Sequence, residues 1–253
     1  MTGTRFSQLA HELRERVALG EFGDSGALES EATLGSRYAV SRVTVRRALE
    51  LLRGEGLVES RRGAGWFVTG AAFHQKLALG TFRHASSAVA EAGKKVLRTV
   101  VEFGYQVPPD PLAASLDLAP GSEVLHSRSV RTVDDVALDL VAEWVPARVA
   151  GAISRDDAEQ VGIWETLQRQ GHRVASVRQS ITAGLVTDAD SGLLAVAPGV
   201  PLLLIRRLAC EADGRPLALS DHRYLAHRFS LEVEFRGWPV AAAPESPGLR
   251  AVP

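Results

Sequence analysis

Two stretches of this chain repeat each other 78 residues apart. Ala119-Pro-Gly returns as Ala197-Pro-Gly, Val124-Leu-His-Ser-Arg128 as Leu202-Leu-Leu-Ile-Arg206, and the turn Asp134-Asp135 as Asp213-Gly214. With one residue inserted, Ala137-Leu-Asp-Leu matches Pro216-Leu-Ala-Leu. Such a repeat constrains topology, because each copy folds as the same unit and buries its apolar face against its twin. Each half reads as a short helix (Pro111 to Leu118; Asp188 to Val196), a Pro-Gly turn and a long two-stranded hairpin. The halves should share one antiparallel sheet. Further strands are expected over 96–107 and 174–187, and helices over 84–92 and 163–170.

The N-terminal part has a different grammar. Val45, Ala48, Leu49 and Leu52 recur at helical spacing and form one apolar stripe. Ser41 is a good N-cap, which leaves Arg42, Thr44, Arg46 and Arg47 in the first two turns of the opposite face, the part of a helix that enters a major groove. A helix over roughly residues 30 to 38, capped by Ser30 with Leu34 and Tyr38 inward, precedes it through the tight connection Ala39-Val40. Leu57 to Ser60 and Trp66 to Val68 then alternate like short strands around Arg61-Arg62-Gly63-Ala64-Gly65, where glycine permits positive φ and close approach to a backbone. The pattern is a helix-turn-helix followed by a basic wing. Between Arg37 and Arg62, seven arginines against three glutamates leave a local charge of +4, while the whole chain carries −1. The basic character is concentrated where a nucleic-acid surface needs it.

A winged helix uses only about 70 residues, so a chain of 253 needs a second core. No apolar run approaches the roughly 18 residues that span a bilayer, and the first helix starts without a signal-peptide core, so the protein is expected in the cytoplasm. The single cysteine, Cys210, excludes an internal disulfide and a Cys-rich metal cage, and in mid-strand it reads as small core filling. Seven scattered histidines, no Gly-x-Ser-x-Gly and no Gly-rich phosphate loop argue against catalysis and against a metal or other cofactor; Asp221, His222 and His227 do not converge as metal ligands at their spacing.

From about Phe6 to Val68 the residues resemble the N-terminal domain of the GntR family of bacterial transcription regulators. The resemblance rests on Leu9, Leu13 and Val17 in a first helix, Gly20-x-Phe22, Ser30-Glu31, Val40-Ser41-Arg42-x-Thr44-Val45-Arg46 and Gly63-x-Gly65-x-Phe67-Val68. It implies that Ser41, Arg42, Thr44 and Arg46 contact DNA, with Gly63 at the wing tip. Three positions depart: Glu29 stands for the usual Pro, Ala32 for a frequent Arg, and Ala64 for the wing Lys. Wing affinity then leans on Arg61 and Arg62, with Arg47 beside them on the helix. Residues 83 to 236 resemble the effector-binding (UTRA) domain of the HutC subfamily, which has the chorismate-lyase fold. The implied class is α+β: winged helix at 1–68, linker 69–82, effector domain 83–237 and a disordered tail 238–253.

Within that subfamily, His126-Ser-Arg128-Ser-Val-Arg131-Thr-Val-Asp134-Asp-Val-Ala-Leu looks most like regulators of phosphonate metabolism. Sugar-phosphate sensors often carry a carboxylate where Val141 stands. Arg131 shares a strand face with Ser127 and Ser129, and an Arg fork suits a phosphate, phosphonate or carboxylate. Ser86 and Ser87 would sit in the first turn of the 84–92 helix, with Arg83 and His84 adjacent, where free N–H groups hold anions. Arg206, Arg207, His222 and Tyr224 complete the candidate effector site, although these arginines could instead pair with surface carboxylates. His222 and Arg223 replace the Ser and the variable residue common in the family. The expected function is a homodimeric regulator, a repressor by preference, that reads a palindromic double-stranded operator and responds to a small anionic effector. A sugar phosphate or a carboxylate catabolite is the alternative ligand. An enzyme built on the chorismate-lyase-like domain ranks below both, and an effector-free architectural DNA protein would leave the second domain unexplained.

Overall fold

The computed structural model describes residues 4–23, 25–70, 73–77, 89–90 and 93–233. Helix α1 (Arg5–Ala18) buries Leu9, Leu13 and Val17 against α3 (Arg42–Gly54), which contributes Val45, Ala48, Leu49 and Leu52. Between them, α2 (Glu31–Arg37) is capped by Ser30, whose Oγ accepts from Thr33 N–H at 3.1 Å. Ala39 turns the chain into α3 at φ +52°, an uncommon conformation for a residue with a Cβ. Strands β1 (Val58–Arg61) and β2 (Gly65–Val68) form the antiparallel wing.

Part of the expected linker is a strand. β3 (Phe73–Leu77) pairs in parallel with the last described strand, Phe229–Val233, so the chain entering the second domain lies beside the chain leaving it. The rest of the domain runs β4 (Leu97–Gln106), α4 (Asp110–Ser115), β5 (Val124–Val133), β6 (Val136–Pro146), α5 (Ala147–Ala150), α6 (Arg155–Gln160), α7 (Ile163–Arg169), β7 (Ser176–Leu185), α8 (Asp188–Leu194), β8 (Pro201–Cys210), β9 (Pro216–Leu225) and β10 (Phe229–Val233). Six of these strands make one antiparallel sheet in the order β4-β5-β6-β9-β8-β7.

That order sets the two copies of the repeat side by side in one sheet. β4-α4-β5-β6 and β7-α8-β8-β9 are copies of one unit, and they meet at the central β6–β9 pair. The Asp134-Asp135 turn has φ of +50° and +62°, the two positive values of a type I′ hairpin, and so sets the β5–β6 register. Helices α5 to α7 cover one sheet face through Val149, Ile153, Ile163, Trp164 and Leu167; α7 was expected over 163–170, and α5 and α6 were not foreseen. On the other face α4 packs Leu112 and Leu116 against Val124 and Leu219. Cys210 ends β8 and is half-buried, rather than lying in mid-strand as expected.

The two parts touch. The Ala197 N–H after α8 donates to the Glu55 carbonyl at the end of α3 (3.2 Å), and Arg14 of α1 grips the Glu55 carboxylate at 2.6 and 3.0 Å.

Candidate functional sites

The first site is built on α3. Ser41 Oγ accepts from Thr44 N–H at 3.2 Å and meets Thr44 Oγ1 at 2.9 Å, which fixes the first turn. With the apolar stripe buried, Arg42, Val43, Arg46 and Arg47 face solvent and, with Phe6, line an open groove of about 960 Å³. Glu31 of α2 was not singled out by the sequence. Its carboxylate accepts from Arg42 Nε (2.9 Å), from Arg46 Nε and Nη2 (3.3 and 3.1 Å) and from Trp66 Nε1 of the wing (3.4 Å). These donors, Arg42 first, hold its pKa below the ordinary carboxylate value against the opposing effect of burial. In the wing, Arg61 pairs with Glu59 at 2.7 Å and lies 4.2 Å over the Phe67 ring. Gly63 turns the tip at φ +76°, and a Cβ there would meet nothing, so the tip is open to an approaching backbone. Of the eight expected DNA contacts, Ser41, Arg42, Thr44, Arg46 and Arg47 lie on α3 or its cap and Arg61, Arg62 and Gly63 on the wing, and Glu31 ties the two elements together.

The second site is the middle of the sheet face beneath α7. Register and alternation put Arg98, Ser127, Ser129 and Arg131 on that face, beside Asp139, Val141 and Glu143 of β6, Ser220, His222 and Tyr224 of β9, and Arg207 of β8. Most of these polar side chains are buried. Arg131 lies opposite Asp139 in register and donates Nε and Nη2 to its carboxylate at 2.7 and 2.6 Å, and Nη2 also to Tyr224 Oη at 2.8 Å. The fork expected to hold an anion is therefore already closed on a carboxylate of the protein. Burial opposes the Asp139 charge, but the Arg131 guanidinium and the His222 hydrogen bond outweigh it and leave its pKa at about 2.

His222 sits at the centre of this network, not at its edge. Nε2 lies 3.2 Å from Arg207 Nη1, a donor, so Nε2 accepts; Nδ1 then carries the proton and donates to Asp139 Oδ2 at 3.3 Å. That tautomer is assigned from the partners. Burial and the neighbouring Arg207 push the imidazole pKa well below its ordinary value, so the ring is neutral. Arg207 also donates to Gln179 Oε1 at 2.8 Å.

Arg131, Arg207, His222 and Tyr224 are thus brought together, and Arg206 is not. Its neighbour Arg207 points into the network, so alternation turns Arg206 to the other face, where it forms a bidentate pair with Asp221 at 2.6 and 2.7 Å. Arg83, His84, Ser86 and Ser87, most of the expected 84–92 helix, and the 238–253 tail lie outside the described residues. Val89 clusters with Tyr224, Ile205 and Phe229. Asp139, Glu143, Arg98, Gln179 and Ser220 were missed. The period-two spacing of Asp139, Val141 and Glu143, read with the hairpin register, carried the signal for β6.

A cavity of about 90 Å³ opens on this face, lined among others by Arg98, Arg131, Val141, Glu143, Trp164 and His222. Gly162, at φ +99°, lies so close to Arg98 that a Cβ there would be 2.6 Å from Nη1. On the reverse of the same strands, Asp190 of α8 is buried between Arg128 of β5 (2.5 Å) and Arg223 of β9 (3.5 Å). α8 leads directly to the Ala197–Glu55 contact with the recognition helix.

Comparison with known proteins matches residues 6–68 to the bacterial regulatory proteins of the gntR family and residues 91–230 to the UTRA domain. The chain is 29% identical over 233 residues to the HTH-type transcriptional regulator Rv0792c of Mycobacterium tuberculosis, covering 90% of this chain and 84% of that protein. It is 23% identical over 226 residues to the HTH-type transcriptional repressor NagR of Bacillus subtilis, covering 89% and 92%. Among solved structures, PhnF from Mycobacterium smegmatis shares the fold with a TM-score of 0.61 at 22% identity, over 91% of this chain and all of that one.

Proposed function

The chain belongs to the GntR family of bacterial regulatory proteins, with a UTRA domain behind the winged helix, so it is a DNA-binding transcriptional regulator, and we propose that it is a homodimeric HutC-type repressor released from a palindromic operator by a small anionic effector. Residues 1–68 read DNA and 83–237 receive the effector, with 69–82 between them. A repressor fits the relative named NagR. The protein works in the cytoplasm, where its DNA is, and none of the described helices is long and apolar enough to cross a membrane.

The observation that carries the reading is the polar sheet face. Three arginines, Arg98, Arg131 and Arg207, against two carboxylates, Asp139 and Glu143, with a neutral His222, leave the described part of the network one positive charge in excess. A buried excess cation favours an anionic ligand. Phosphonate or phosphate is the first reading, and a sugar phosphate or a carboxylate catabolite the second. Strands β5 and β9 carry the network on one side and the Arg128–Asp190–Arg223 clamp on the other, so a ligand that moves them pulls on α8 and through Ala197 on the end of α3. An effector that weakens operator binding must itself bind less tightly to the DNA-bound form.

The test is paired titration. Arg46→Ala should abolish operator retention in a gel-shift assay and leave the thermal shift given by an anionic effector intact. Asp190→Asn should keep both binding events and uncouple them. If effector still released Asp190→Asn from operator at the wild-type concentration, the route through α8 would be wrong.

A further inference from the structure

The cavity on the polar face has a wall of each sign. Arg131 is neutralised within the protein by Asp139, and Arg207 is engaged by Gln179 and His222. Arg98 donates Nη1 to the Ala158 carbonyl at 3.1 Å, while its buried Nε has no partner among the described residues. Opposite in sign is Glu143, which lines the same cavity, is 6% exposed, and makes no side-chain hydrogen bond among the described residues. Arg98 and Glu143 attract each other through space, with no hydrogen bond between their side chains among the described residues. Nearby, Ser129 Oγ is buried without a partner among the described residues.

A carboxylate so placed costs free energy unless something brings it a donor, and an ionised one is compensated best by a cation. Arg98, Arg131 and Arg207 favour its charge through space, and none of them donates a hydrogen bond to it among the described residues. Glu165 of α7 pairs with Arg169, and His222 is neutral with both nitrogens in use. Burial pushes the Glu143 carboxyl upward, with Arg98 the leading opposing influence. About 90 Å³, at the roughly 30 Å³ that each water takes in the liquid, is the volume of about three waters. That is the size of a short amino acid or aminoalkylphosphonate and well below a hexose phosphate.

Resting on the proposal that this domain binds an anionic effector, we infer that the effector is a short zwitterion whose ammonium group is received by Glu143 and whose acid group is received by Arg98. The carboxylate missing at position 141 is thus not a sign of a purely anionic ligand, because Glu143, two residues on and on the same strand face, supplies one.

The experiment is calorimetry and thermal shift on the full-length protein with matched probes that differ only in the amine: aminoethylphosphonate against ethylphosphonate, and β-alanine against propionate. In at least one pair the amino member should bind at least tenfold more tightly than its partner. Glu143→Gln should erase that preference while operator binding stays intact, and Glu143→Asp, which keeps the charge, should retain part of it. Equal binding of the amino and des-amino members would overturn the zwitterion and leave the anionic effector standing. A preference that survives in Glu143→Gln would overturn the role of Glu143. No binding by any probe would overturn the zwitterion and withdraw support from the anionic-effector reading with it. The wild-type comparison does not depend on any variant folding.

Discussion

Arg46 on the recognition helix and Arg131 on the sheet grip a carboxylate in the same way, each with Nε and Nη2, yet their surroundings are opposite. The Arg46–Glu31 contacts are 3.3 and 3.1 Å with the Arg46 side chain 59% exposed; the Arg131–Asp139 contacts are 2.7 and 2.6 Å with side chains 4% and 0% exposed. An exposed pair is worth about 0–1 kcal/mol, so a phosphate can replace Glu31 at little cost. A buried pair resists separation, because the partner left behind has lost both water and its counter-charge. The same residue is a ligand-binding group in one region and part of the frame in the other.

The sharpest way to break this comparison is to remove one buried partner. Asp139→Asn should destabilise the protein by about 3–5 kcal/mol, read from the urea midpoint, because it leaves Arg131 uncompensated. For the same reason Arg131→Ala is a poor test of effector binding. A loss under about 1 kcal/mol would mean that the network is wetter than its burial implies. On the helix the effects reverse. Arg46→Ala should change stability by no more than about 0.5 kcal/mol and cost about 1–3 kcal/mol of operator affinity at fixed salt. A large stability loss there would show that Arg46, too, is part of the frame.

A third test uses pH. His227 is buried, neither ring nitrogen has a partner among the described residues, and desolvation lowers its pKa to about 3. Above about pH 6.5 neither state carries the proton and stability is full. As pH falls from 6.5 towards 3 the unfolded chain binds a proton that the folded chain refuses, so stability drops by about 1.4 kcal/mol per pH unit. His222, depressed in the same direction, adds to the slope. His227→Leu should flatten the pH profile of the urea midpoint and cost little at pH 7, since no hydrogen bond is lost. An unchanged slope would mean that His227 is hydrated.

How much of this was legible in the sequence follows the same division. The apolar stripe of α3, the Ser41 cap and the glycine wing are local patterns; the structure reproduces the stripe and cap residue for residue and the wing with strand ends shifted by one residue. The repeat implied one antiparallel sheet shared by its two copies, and the strand order, which depends on which edges meet, comes from the structure. The polar face was half visible. Arg131 stood out as a cation, but its partner Asp139 lies across a hairpin, and pairing is decided by register rather than by proximity in sequence. Arg206 and Arg207 looked equivalent because they are adjacent, and a strand separates adjacent residues more thoroughly than any other element. α7 was expected over 163–170, whereas the short helices α5 and α6 and the parallel β3–β10 pair depend on contacts between distant segments for which no short motif exists.

The smallest expected effect concerns Glu31, which belongs to the exposed region yet behaves partly like a frame. Its carboxylate holds Arg42 and Arg46 on one side and Trp66 of the wing on the other, so it sets where the helix cations point before DNA arrives. Glu31→Gln removes a negative charge from a surface that meets phosphates, which should strengthen binding to any duplex a few-fold. It also frees both arginines to sample other rotamers, which weakens only the contacts that depend on their aim. The two effects have different signatures. Measured at one salt concentration on operator and on random duplex, the variant should bind random DNA more tightly and lose about 1 kcal/mol or less in the ratio of operator to random affinity. A ratio equal to wild type would mean that Glu31 only neutralises charge, and the DNA-reading arginines would then be as free as their exposure suggests.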